Sequence, residues 1–70
     1  MNTLIQFIES CLRDCKATAD RTSRKNAYDR AFGATQYHIM LNLTEFAEVE
    51  TLWNETYRPQ FEELVYGGEV

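Results

Sequence analysis

Leu4, Ile5, Ile8, Cys11, Leu12, Cys15 and Ala19 return every three or four residues, the interval of one face of an amphipathic α-helix. The same interval recurs twice further along the chain. Ala27, Tyr28, Ala31, Phe32, Ala34, Thr35, His38, Ile39 and Leu41 form a second apolar arc, covering about half a helix circumference at roughly 100° per residue. Phe46, Val49, Leu52, Trp53, Tyr57, Phe61 and Leu64 form a third. No strand-like alternation, repeat or long linker interrupts them. The spacing therefore predicts an all-α fold, a small antiparallel three-helix bundle forming a single domain over residues 1–70. The helices are expected at about 3–20, 24–41 and 45–66.

Local chemistry sets the expected ends. Thr3 and Gln6 have the spacing of a capping box, and Glu9 stands four residues before Arg13, where an ion pair can form along a helix. Thr22 or Ser23 is the expected cap of the second helix, and Thr44 of the third. Pro59 lacks an N–H and its ring crowds the preceding turn, so the third helix is expected to kink or split there, leaving a short fourth helix if the break is complete. Gly67 and Gly68 should end it. The second arc is wide enough for neighbours on two sides, which makes that helix central. Gly33 falls outside this arc and costs about 1 kcal/mol of helix propensity, for which close contact across an oligomer interface would give a reason.

Charge is unevenly distributed. Six of the seven Lys and Arg residues lie within residues 13–30, whereas residues 31–70 hold seven acids and Arg58 alone, within a net charge of −4. This polarity favours head-to-tail or antiparallel association. A chain of 70 residues buries only about 60% of its extended surface, so a shared interface would relieve a marginal core. The first residues lack the positive region of a signal peptide, and no apolar run is long enough to span a membrane, so the expected location is cytoplasmic.

No phosphate loop, serine elbow or EF-hand loop is present. Cys11 and Cys15, four apart on one helix, fit buried free thiols better than a disulfide, and they lack the cysteine spacing and further ligands of a structural zinc site. His38 sits within the second apolar arc, as a core residue or as a pH-sensitive group in an interface. A His38–cysteine dyad would need a cleft that so small a core can hardly provide. Glu48, Glu55 and Glu62 recur every seven residues as a solvated stripe, with Arg58 and Glu62 spaced to pair. No catalytic residue, metal, cofactor or small-molecule substrate is indicated.

The expected function is therefore non-catalytic, a small module that binds itself or a larger protein. Trp53, Tyr57 and Phe61 spread over more arc than one neighbouring helix covers, while Phe7 and Met40 point away from their main arcs. These five are the expected contacts, with closure of the core as the competing role for the aromatic residues. The alternative is a nucleic-acid-associated regulator using Arg21, Arg24, Lys25 and Arg30, which the acidic second half of the chain disfavours.

Overall fold

The computed structural model describes residues 1–67, and among these it contains helices and no strand. Helix α1 spans Asn2–Ala17, α2 spans Arg21–Leu41, and a single 3₁₀ turn, Leu43–Glu45, leads into α3, Phe46–Leu52. A π-helical segment, Trp53–Tyr57, joins α3 to α4, Arg58–Tyr66. The backbone stays in the right-handed helical region at Trp53 and Arg58, so these last pieces form one irregular third rod. The expected three-helix bundle is what the chain adopts.

The irregularity of the third rod begins before Pro59. The Arg58 N–H reaches back five residues to the Trp53 carbonyl, instead of the four of an α-helix. This wider turn precedes the position where proline withholds a donor and its ring would press on a carbonyl of the preceding turn. Pro59 itself lies in the first turn of α4, where a missing N–H is tolerated.

Several expected ends move. Helix α1 stops at Ala17, leaving Ala19 exposed, and begins at Asn2 with no side-chain cap, so the Thr3–Gln6 box is not used. Helix α2 starts three residues earlier than expected, because Asp20 is its cap. The Asp20 Oδ2 accepts the Ser23 N–H at 3.2 Å and the Ser23 hydroxyl at 2.7 Å. Thr44 gives no side-chain cap to the third rod, whose entry is the 3₁₀ turn. Asn42 closes α2, its N–H donating to the His38 carbonyl at 2.9 Å and its side-chain amide to the same oxygen at 3.0 Å. At the other end of the chain, Gly67 follows α4 and donates its N–H to Glu63. Gly68 lies outside the described residues.

One core draws on all three rods. Leu4, Ile8, Cys11, Leu12 and Cys15 from α1 meet Ala27, Ala31, Thr35 and Ile39 from α2, and Val49, Phe61 and Val65 from the third rod. The Thr35 hydroxyl is fully buried and donates to the Ala31 carbonyl at 2.8 Å, which removes the desolvation penalty of an orphan donor. The centre is aromatic. Tyr28 stacks on Phe61 with ring centroids 5.6 Å apart and on Trp53 at 6.1 Å, and Phe32 meets Trp53 edge-on at 5.9 Å.

Arg24 ties the rods together at one end. Its Nε donates to the Thr18 carbonyl just beyond α1 at 2.7 Å, and its Nη1 to the Leu64 carbonyl near the end of α4 at 3.1 Å. A helix end leaves its last carbonyls without partners, and a guanidinium satisfies two of them in different elements. Replacing Arg24 with methionine keeps much of the stem but removes both bonds. The expected cost is roughly 1–2 kcal/mol, read as a lower urea midpoint with unchanged slope by Trp53 fluorescence.

Candidate functional site

The five expected contact residues separate into two groups. Trp53, Tyr57 and Phe61 are buried within the chain, at 2%, 7% and 0% exposure, so the expectation that they present themselves to a partner is corrected. They close the core because the third rod leans its aromatic face directly on α2. The Tyr57 hydroxyl donates to Glu9 on α1 at 3.0 Å, and burial followed by that carboxylate pushes its pKa up. Glu9 is thus turned to Tyr57, in place of the expected Arg13 pair. Phe7 and Met40, by contrast, are exposed.

The basic cluster is largely engaged by the protein itself. Arg24 holds carbonyls, Lys25 pairs with Asp29 at 2.8 Å, and Arg30 reaches Asp14 on α1 at 3.6 Å. Lys25 also lies 5.8 Å from the Tyr28 ring centroid. Arg21 opens α2 and is exposed. The cluster reads as the fastening of one end of the bundle, and Arg24 in particular is turned inward to its carbonyls.

The acidic stripe is also uneven. Glu62 accepts from the Tyr28 hydroxyl and from Arg58 Nε, each at 3.1 Å, as the Arg58–Glu62 spacing predicts for the second contact. Glu48 and Glu55 are exposed.

Both cysteines are free thiols in the core. The Cys15 Sγ faces the Arg24 carbonyl at 3.8 Å. Burial pushes both thiol pKa values up, against the opposing fields of Arg30 at Cys11 and of Arg24 at Cys15. A thiol held protonated and out of solvent is a poor nucleophile. Among the described residues, no group of three or more histidine, cysteine or acidic side chains is placed to hold a metal ion.

His38 does not join the cysteines. Its Nε2 lies 3.0 Å from Glu45 Oε1, linking α2 to the 3₁₀ turn. That hydrogen bond is the main reason Glu45 holds its proton less tightly than an ordinary carboxylate, with the amino group of Met1 adding a smaller attraction.

A cleft of about 220 Å³ lies between α2 and the π segment, lined by residues including Phe32, Thr35, Ile39, Trp53 and Arg58. Wider and more open concavities, of about 340 Å³ beside Tyr28, Phe32 and Tyr66 and about 540 Å³ beside Ser23, Asn26 and Arg30, lie on the surface of α2. Among the described residues, the buried Trp53 Nε1 has no hydrogen-bond partner.

The largest unexplained feature is a run of exposed apolar side chains at the other end of α2. Tyr37, Met40, Leu41, Leu43 and Phe46 are 60%, 64%, 63%, 73% and 46% exposed. Phe7, also exposed, lies on α1 and outside this run. Of this run, sequence reasoning named only Met40 as an exposed contact. The missed signal was density, with six large apolar residues in ten positions that cannot all face inward from a helix end and a turn, and of which Ile39 alone is buried.

Comparison with models of known protein families, with curated proteins and with solved structures finds no match for this chain.

Two outcomes follow from these groups. Because the folded-state pKa of Glu45 is lowered, its contact with His38 contributes stability above the ordinary carboxylate range, and that contribution disappears as pH falls through the lowered value. The melting temperatures of the native protein and Glu45→Gln should therefore differ at neutral pH and converge on acidification. The thiols give the second. Cys11 and Cys15 should react with a thiol reagent only through opening of the fold, so their labelling rate should rise with urea in step with unfolding measured by fluorescence.

Proposed function

We propose that the protein is a non-catalytic helical module that binds another protein through the apolar end of α2 and the turn that follows it. The observation that carries this reading is the exposure of Tyr37, Met40, Leu41, Leu43 and Phe46 within ten residues. Leaving such a cluster in water forgoes the burial free energy of several large side chains, about 25 cal/mol per Å² of apolar area. Concentrated patches of this kind mark protein contacts far more often than scattered single residues do.

The rest of the molecule supports a binding role over a catalytic one. The thiols are shut in the core and His38 is turned to Glu45. No helix among the described residues is long and apolar enough to cross a membrane. Two unpaired buried thiols suit a reducing compartment, so residence in the cytoplasm belongs to this reading. The nucleic-acid alternative loses support from the inward use of Arg24 and the pairing of Lys25 and Arg30.

Photo-crosslinking in the cell tests the proposal. A photoreactive residue replacing Leu43 should give one discrete adduct, either of twice the protein's mass or with one larger protein. The same residue replacing exposed Glu55 should give none. Absence of any adduct from position 43, or equal adducts from both positions, would overturn the reading.

A further inference from the structure

Asp29, Gly33, Gln36, Tyr37 and Met40 follow one another at three- and four-residue steps or as neighbours, which places them on the outer side of α2, and all are exposed. Gly33 lies near the middle of this face, and nothing among the described residues accounts for it. Its φ is not positive, and a Cβ built there would meet no atom within 4 Å. Glycine in an exposed helix interior weakens the helix, and its usual return is that another backbone can come close.

We infer that this face of α2 packs against α2 of a second copy, antiparallel about a two-fold axis near Gly33. The inference rests on the reading of the protein as an interaction module and names its partner. Tyr37 and Met40 of each copy then lie over residues 26–33 of the other, with the Arg30 guanidinium close to the opposing Tyr37 ring.

Charge selects this occupant. No Lys or Arg precedes Arg13, and none lies between residues 31 and 57. The end of the bundle where α2 finishes and α3 begins therefore carries Glu45, Glu48 and Glu50 with no Lys or Arg near them in sequence. The opposite end gathers Lys16, Arg21 and Lys25 at the close of α1 and the start of α2, interspersed with Asp20 and with Glu62 and Glu63 of α4, and Lys25 is paired with Asp29. Antiparallel pairing lays the acidic end of each copy on the end that holds most of the Lys and Arg of the other, twice by symmetry, whereas parallel pairing superposes the two acidic ends.

Area selects the same geometry. The molecule measures 37 × 21 × 15 Å. A side-on contact can approach the ~800 Å² per partner typical of stable interfaces, whereas an end-on contact offers less than half of that.

Sedimentation equilibrium on the purified protein and Gly33→Gln decides the matter. Glutamine favours the helix and adds no apolar surface, so the variant should fold at least as well as the native chain, as circular dichroism at low concentration will show. The expected result is a native dimer and a variant whose dissociation constant is at least roughly tenfold higher. Two results overturn the inference: a native mass of 8.2 kDa throughout a concentration series reaching about 1 mM, or equal dissociation constants for the two proteins. A native monomer that still forms a discrete adduct with a different protein from position 43 removes the second copy and leaves the interaction module standing. A monomer with no adduct removes both.

Discussion

The packing of Tyr28, Trp53 and Phe61 joins the third rod to the α1–α2 hairpin. Tyr28 is the only one of the three rings that comes from α2, and it stacks on both of the others. Trp53 also meets Phe61 at 5.8 Å, so the cluster is closed and not a chain of pairs. Its magnitude explains why an imperfection is tolerated. Burying an indole removes some 150–250 Å² from water, on the order of 4–6 kcal/mol. Leaving Nε1 without a partner costs about 1–3 kcal/mol, so burial wins. The Tyr28 hydroxyl has an alternative that Trp53 lacks, because it sits at the edge of the cluster and reaches Glu62.

The π segment is the backbone's answer to how those rings are spaced. Val49, Trp53, Tyr57, Phe61 and Val65 are buried at strict intervals of four. In an uninterrupted α-helix each such step turns the side chain a further roughly 40° around the axis, and four steps would carry Val65 well away from the face of Val49. A turn that takes in an extra residue sets part of that drift back. Pro59 sits just beyond it, where its missing donor does least harm. Register and proline thus make compatible demands, and the widened turn at Trp53–Tyr57 meets both.

Much of this was legible in the chain. The helical class, the three rods, the central position of α2 and the free buried thiols all follow from periodicity and cysteine spacing. The apolar register running through Pro59 is legible too, as is the place of Pro59 in the first turn of an in-line helix, whereas the wider turn before it, encoded in the four-residue interval, is not. Asp20 was missed as a cap although Ser23 follows it by three residues, since Ser23 looked equally able to cap. The larger miss concerned the aromatic residues. Periodicity shows that Trp53, Tyr57 and Phe61 share a face, but whether that face closes on the chain or remains open depends on the volume α2 offers. On that side α2 offers Thr35 and Ile39 beside the rings of Tyr28 and Phe32, and Trp53 lies against them.

With those rings inside, the two ends of the bundle divide the remaining chemistry between them. At one end, polar groups close the structure: Arg24 satisfies carbonyls beyond α1 and in α4, Asp20 caps α2, and Lys25 and Arg30 find acids on their own or the neighbouring helix. At the other, the polar closure is confined to Asn42 and the His38–Glu45 contact, and the large side chains around them face solvent. Those two contacts hold the turn that displays Leu43 and Phe46, so the same hydrogen bonds that end α2 fix the shape of the apolar surface. A displayed surface on a fixed turn keeps little conformational entropy to lose on contact, and that favours recognition over nonspecific adhesion. The fold therefore keeps its polar bonds for internal order and leaves most of its exposed apolar surface at one end, the distribution that the proposed binding role calls for.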